Sequence, residues 1–319
     1  MSDVVISTFY IFLGLFFLYL GGEGLIRGSS ALAFRLGLSS LVIGLTVVAF
    51  GTSAPELFVS VQAALEGNEN IAAGNVVGSN IFNIAFILSI TALIHPLRIQ
   101  LQLLRFDVPI LVGVTILFLG LFGDRGISRW EAMILFLGIV IYTVVVIRMA
   151  KREEDKKEIV KEFEEGLEKP VGTIWLDIGY VIGGLALLVG GSHFLINGAS
   201  SVARYFGVSE AVIGLTIVAA GTSLPEMATN VVAALKKEPD IALGNIVGSN
   251  IFNILAIMGI AGLVVPFRAS EITIFDLTTM LVFAIALLAI VLSGKEINRW
   301  KGSLLLCGYA VYLYYIWPK

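Results

Sequence analysis

The chain has 319 residues, of which 57% are hydrophobic and 14% charged, and its net charge is −3. That composition is far from that of a soluble globular protein and argues against a nucleic-acid partner, while apolar runs of about twenty residues mark a polytopic helical membrane protein. Cys307 is the single cysteine, so neither a disulfide framework nor a cysteine metal cluster is available.

The first apolar run continues past any signal-peptide core and has no basic start, so it reads as a span. Ten spans are expected, near 5–33, 38–65, 71–94, 106–123, 129–149, 173–203, 208–235, 241–265, 274–293 and 299–317. Spans one and six are longer than a bilayer requires. They carry small-residue clusters, Gly21, Gly22 and Gly24 in one and Gly190 and Gly191 in the other, which allow close helix contact or sliding. Between spans five and six, KREEDKKEIVKEFEEGLEKP at 151–170 is the one strongly charged segment. It reads as a solvated helical linker, with a regulatory loop as the alternative.

Across that divider the chain repeats itself at a shift of 170. VIGLTVVAFGTS at 42–53 returns as VIGLTIVAAGTS at 212–223, and GNVVGSNIFNI at 74–84 as GNIVGSNIFNI at 244–254. Arg129–Trp130 matches Arg299–Trp300 at the same shift. The expected fold is therefore all-α, with ten transmembrane helices arranged as two five-helix repeats. Residues 1–150 form the first repeat (motif region 42–84), 151–172 the linker, and 173–319 the second repeat (motif region 212–254). Five is odd, so the second repeat enters from the opposite side, an inverted repeat of the kind that places a transport site at the midplane. Of the 21 Lys and Arg residues, sixteen fall in or beside the loops after spans one, three, five, seven and nine. This predicts a cell-membrane protein with both termini outside and the linker in the cytoplasm.

GTSAPE at 51–56 and GTSLPE at 221–226 place Glu56 and Glu226 inside apolar runs. A carboxylate there costs about 2.5–3.5 kcal/mol on insertion scales, which points to a function. Pro55 and Pro225 each remove a helix hydrogen bond and displace the carbonyl four residues earlier, at Gly51 and Gly221. Carboxylate, hydroxyls (Thr52 and Ser53; Thr222 and Ser223) and loosened carbonyls then meet at one bend, an oxygen set suited to hard cations such as calcium. The second motif adds Ser79 and Asn83, four apart on one helical face, and likewise Ser249 and Asn253. Asn80 and Asn250 face elsewhere and are expected to join helices.

The competing account of the glutamates is structural. Ser53–Glu56 and Ser223–Glu226 have the S-x-x-E spacing of a capping box. Asp107 and Asp276, at the starts of spans four and nine, are explained by helix capping. His193 and His95 have no metal-ligand partners, and Glu23 reads as solvated. Trp130, Trp175, Trp300 and Trp317 sit near span ends as an aromatic belt. No Ser-His-Asp set, phosphate loop or dinucleotide fingerprint occurs, so no enzyme is expected.

The duplicated GTSxPE and GNxxGSNIxN motifs resemble the α-repeats of the cation/calcium antiporter superfamily, most closely the prokaryotic sodium/calcium exchangers, over nearly the whole chain. The resemblance implies a central core of signature helices with spans one and six sliding across it. It also implies the ligands Thr52, Ser53, Glu56, Ser79 and Asn83 with Thr222, Ser223, Glu226, Ser249 and Asn253, and carbonyls at Ala49 and Ala219. Some members carry aspartate where Asn253 stands. The expected function is Na⁺/Ca²⁺ antiport by alternating access, with no cofactor and with the two ions and the lipid bilayer as partners. The alternatives are an H⁺/Ca²⁺ antiporter, since close carboxylates invite protonation, and a cation channel ringed by glutamates.

Overall fold

In lipid an apolar segment satisfies its backbone only as a helix or a closed barrel, and the described residues are helical almost throughout. A computed structural model of the chain describes residues 2–154, 172–207 and 219–316. Helix α1 spans Ser2–Leu36, α2 Ser40–Thr52, α3 Ala54–Leu65, α4 Glu69–Ile94, α5 Leu103–Asp124 and α6 Arg129–Glu154. In the second half α7 spans Ile174–Tyr205, α8 Leu224–Leu235, α9 Pro239–Val264, α10 Ile274–Leu292 and α11 Arg299–Ile316.

Among the described residues, seven of these helices are long and apolar enough to cross a bilayer, and eight if α2 and α3 count as one bent span. α11, which opens on Arg299 and Lys301, falls outside that set. Of the expected seventh span, 208–235, residues 208–218 lie outside the described residues, and the rest forms a short turn at Ala219–Gly221 and α8. Residues 155–171 of the linker and Trp317 also lie outside the described residues, while 151–154 continue α6. Trp130, Trp175 and Trp300 stand exposed in the first turns of α6, α7 and α11, as a belt requires.

Burial sorts the helices into layers. Of the most apolar stretch of α9, 89% is buried inside the protein, and of α4 67%, against 22–28% for α1, α6 and α7. The two helices carrying the GNxxGSN motifs are therefore the centre, and their neighbours repeat. α3 packs on the Met258–Val264 end of α9, and α8 on the Leu88–Ile94 end of α4. α6 packs on the same end of α9 and α11 on the same end of α4. Two short antiparallel pairings close the loops. Strand β1 (Leu97–Arg98) pairs with β4 (Glu296–Ile297), and β2 (Gly126–Ile127) with β3 (Phe267–Arg268). A shift of 170 maps one pairing onto the other, Leu97↔Ile297 onto Phe267↔Ile127.

α1 and α7 run antiparallel in unusually close contact. A Cβ added at Gly14 would lie 2.7 Å from the Gly191 carbonyl, at Gly21 2.8 Å from that of Gly184, and at Gly28 2.7 Å from that of Asp177. From the other helix, one at Gly184 would meet Leu25 N at 2.6 Å and one at Gly198 Ser7 O at 2.6 Å. Glycine at every seventh residue, 14–21–28 facing 184–191–198, lets the two backbones touch, and Arg35 pairs with Asp177 at 2.5 Å at one end. The seam uses Gly21 and Gly191 from the clusters noted in the sequence, but Gly190 meets nothing and Gly22 packs on Val232 of α8. Inside the core, Gly244 and Gly248 of α9 cross the Leu41 and Leu45 carbonyls of α2 at 2.6 Å from their ideal Cβ positions.

Candidate ion-binding site

Both GTSxPE motifs sit at breaks. α2 and α3 are bent by 44° at Ser53, which leaves the helical region with φ −83° and ψ 7°, and Ser223 repeats this with φ −86° and ψ 9°. Proline in the first turn of the following helix supplies the cause, since it lacks the donor needed to continue the ladder. Each glutamate then lies in the first turn of the new helix, 1% exposed.

The capping-box expectation is replaced by an exchange. Ser53 Oγ donates to Glu226 Oε1 at 2.9 Å, and Ser223 Oγ donates to Glu56 Oε1 at 2.9 Å. Neither serine caps its own helix. Tertiary packing overrides the local motif here because the two breaks face each other across the centre of the protein. Each carboxylate is thus held by one oxygen from the opposite half. The second oxygens, Glu56 Oε2 and Glu226 Oε2, are buried with no hydrogen-bond partner among the described residues. The ion pairs among the described residues, Arg35–Asp177, Lys236–Glu23 and Arg268–Asp124, lie elsewhere. Two buried acids without a counter-charge are costly for a fold, and this is the arrangement a bound cation offsets.

Hydrogen bonds join several of the neutral residues expected from the sequence. Ser223 Oγ reaches Ser79 Oγ at 3.2 Å, and Thr52 Oγ1 donates to Asn245 Oδ1 at 3.0 Å, which also accepts from Ser249 Oγ at 3.4 Å. Asn83 and Asn253 each open a five-residue π-turn, Asn83–Ile87 and Asn253–Ile257, the wide helical turn that recurs at functional sites. Among the described residues, the Oδ1 and Nδ2 of Asn83 and the Oδ1 of Asn253 are buried without a partner, whereas Asn253 Nδ2 donates to Asn80 Oδ1 at 3.3 Å. Asn80 therefore joins helices as expected, but Asn250 bonds within its own helix, to the Ile246 carbonyl. No group of three acidic, histidine or cysteine side chains suited to a metal occurs among the described residues. Apart from the two glutamates, the oxygens here are neutral.

The Ala49 carbonyl accepts the Ser53 N–H at 3.0 Å, which leaves its second lone pair unused by that bond, and Ala219 opens the Ala219–Gly221 turn. Two expectations are corrected. The Gly221 carbonyl freed by Pro225 is taken by Ser192 Oγ of α7 at 2.6 Å, so in this half the loosened carbonyl ties α7 to the break. Asp107 caps nothing. It is fully buried in the π-turn Leu103–Asp107 and accepts from Tyr142 OH at 3.1 Å and Gln102 Nε2 at 3.2 Å. Asp276 does form a capping box with Thr273, and it also accepts from Tyr312, which stands 170 residues after Tyr142.

Two residues escaped the sequence reading. Asn75 and Asn245, the asparagines that follow the first glycine of each GNxxGSN motif, bond Thr222 and Thr52 across the halves. The signal was available: 75, 79 and 83, like 245, 249 and 253, are spaced by four and line one helical face.

With this geometry in view, comparison with known proteins is direct. Residues 6–148 and 176–317 match the family described as sodium/calcium exchanger protein. The chain is a member of the sodium/calcium exchanger family. It is 33% identical to the sodium/calcium exchanger MaX1 of Methanosarcina acetivorans over 97% of this chain and 98% of that one. It is likewise 33% identical to the inner membrane protein YrbG of Escherichia coli, over 97% and 96% of the two chains. The solved structure of the sodium-calcium exchanger NCX_Mj, soaked with zero Na⁺ and Ca²⁺, superposes with a TM-score of 0.85 at 28% identity. That match covers 98% of this chain and 100% of the other. This exchanger is thus a multi-pass membrane protein and a transporter, not an enzyme, and its class of activity is cation/Ca²⁺ exchange.

Proposed function

We propose that the exchanger moves Na⁺ against Ca²⁺ by alternating access at one midplane site. Its ligands are Glu56, Glu226, Thr52, Ser53, Ser79, Asn83, Thr222, Ser223, Ser249 and Asn253, with the carbonyls of Ala49 and Ala219. The observation that carries the proposal is the pair of crossed Ser–Glu bonds, each leaving one buried carboxylate oxygen free. Two carboxylates neutralise one Ca²⁺, and hydroxyl and amide oxygens complete the roughly 6–8 ligands it takes. Sodium requires the same carboxylates, so the two cargoes exclude one another, and mutual exclusion at an alternately exposed site is antiport. A site without either ion leaves two uncompensated buried charges, which opposes return of the empty carrier. Asn253, neutral where some relatives of this type carry aspartate, keeps the fixed charge at two.

The proposal includes ten spans in two inverted five-helix units, 1–150 and 173–319, joined by the 151–172 linker. Helical direction supports it: α1 and α7 are antiparallel, as first members of oppositely inserted units must be. Loop parity supports it too. The loop after span three meets the loop after span nine through β1–β4, and Gln100 there donates to Asp240, after span seven, at 2.6 Å. The loops after spans four and eight meet through β2–β3, and Asn70, after span two, accepts from Glu271 N. The basic residues favour the odd-loop side, so we place it in the cytoplasm of the cell membrane with both termini outside.

The test is Glu56→Gln and Glu226→Gln in reconstituted vesicles. Each keeps the side-chain shape and removes one of the two charges, and each is expected to abolish exchange while the protein still purifies as a folded species. Near-normal Ca²⁺ flux in either variant overturns the assignment of that glutamate.

A further inference from the structure

A hydroxyl binds a cation through its lone pairs, so its proton has to be given to some other acceptor. Both threonines of the candidate site have such an acceptor in an asparagine of the opposite half, and for Thr52 it is closer than the Ala49 carbonyl, which lies at 3.5 Å. Thr222 Oγ1 donates to Asn75 Oδ1 at 3.3 Å, and Thr52 Oγ1 donates to Asn245 Oδ1 at 3.0 Å. We propose that Asn75 and Asn245 are positioning residues, each taking a threonine proton so that the threonine oxygen is turned to the ion with its lone pairs. The proposal rests on the ion-site reading above and extends it to two residues that are not themselves ligands.

The two positioning residues are not equally held, because positions 60 and 230 differ. Asn75 is clamped: its Nδ2 donates to the Glu56 carbonyl at 3.1 Å and to Ser60 Oγ at 2.9 Å. In the second half Asn230 stands where Ser60 stands in the first, and Asn230 Nδ2 itself takes the Glu226 carbonyl at 2.8 Å. Asn245 Nδ2 and Asn230 Oδ1, a donor and an acceptor, are left buried and without partners among the described residues. Asn245 is therefore held only by the hydroxyls it accepts, those of Thr52 and Ser249. The Thr222 side of the site is the rigid one and the Thr52 side the adjustable one.

Double-mutant cycles on the purified full-length protein test this, with equilibrium binding of radiolabelled Ca²⁺ as the readout, which does not depend on the coupled ion. Asn245→Ala removes an amide nitrogen that has no partner among the described residues, so it should fold normally and raise the Ca²⁺ dissociation constant about five- to ten-fold. In a Thr52→Val background the same change should cost clearly less, about two- to three-fold, since no threonine proton remains to be placed and only the longer bond from Ser249 Oγ, at 3.4 Å, is still lost. The Asn75→Ala and Thr222→Val pair should couple in the same sense. It should also lower the melting temperature, because the Glu56 carbonyl and Ser60 lose their donor. Equal fold-changes with and without the threonine, or loss of folded protein in both asparagine variants, would make the asparagines structural and overturn the proposal. The underlying reading fails separately: native-like Ca²⁺ binding by Glu56→Gln removes the ion site itself. Lost binding there without coupling in the cycles removes only the positioning role.

Discussion

Glycine pairs one residue apart make opposite predictions along α7, and they test the close seam directly. At Gly184 an added Cβ would sit 2.6 Å from Leu25 N and 2.8 Å from the Gly21 carbonyl, and at Gly191 2.8 Å from Leu18 N and 2.9 Å from the Gly14 carbonyl. Those atoms are backbone, so no rotamer change relieves the overlap. Ordinary contact begins near 3.4 Å, so α1 and α7 have to part by about 0.5–0.8 Å. Overpacking of that kind costs about 1–3 kcal/mol, and here the cost falls on a seam that repeats every two turns. At Gly183 and Gly190 nothing lies within 4 Å, and alanine there gains about 0.5–1 kcal/mol of helix propensity. Gly184→Ala and Gly191→Ala are expected to lower the melting temperature of the detergent-purified exchanger by several degrees and to slow Ca²⁺ uptake. Gly183→Ala and Gly190→Ala should leave both unchanged or slightly raise the melting temperature. Equal damage from neighbours such as Gly190→Ala and Gly191→Ala would show that the seam does not depend on backbone contact.

In Ca²⁺-loaded vesicles, external Na⁺ is expected to drive Ca²⁺ release and K⁺ is not, with a proton ionophore leaving the release largely intact. Ca²⁺ movement that follows a pH gradient and ignores sodium moves the protein to the proton-coupled reading. In a Cys307→Ser background, single cysteines at Lys237 and Arg125 should label from opposite sides, position 125 from outside intact cells; labelling at 237 alone reverses the orientation. Tyr142→Phe strips a hydrogen bond from fully buried Asp107 and is expected to cost about 1–3 kcal/mol. Tyr312→Phe, whose partner Asp276 keeps two bonds from Thr273, should cost less when both melting curves are compared.

The membrane class, the positions of most spans and the repetition of the motifs were legible in the chain itself. An apolar run in lipid has few structural choices, and a repeat at constant shift is a one-dimensional fact. Glu56 and Glu226 were legible for the same reason, because a carboxylate in a proline-broken apolar run is out of place by its cost alone. The partners of those carboxylates were not legible. Sequence spacing pairs Ser53 with Glu56, and only packing reveals that Ser53 bonds Glu226 and Ser223 bonds Glu56, residues 173 and 167 positions away. The roles of Asn75, Asn245 and Ser192, and the choice of Gly184 and Gly191 over their glycine neighbours, were likewise decided in three dimensions. Which atoms meet depends on how two helices cross, and the local pattern of either one holds no record of the other.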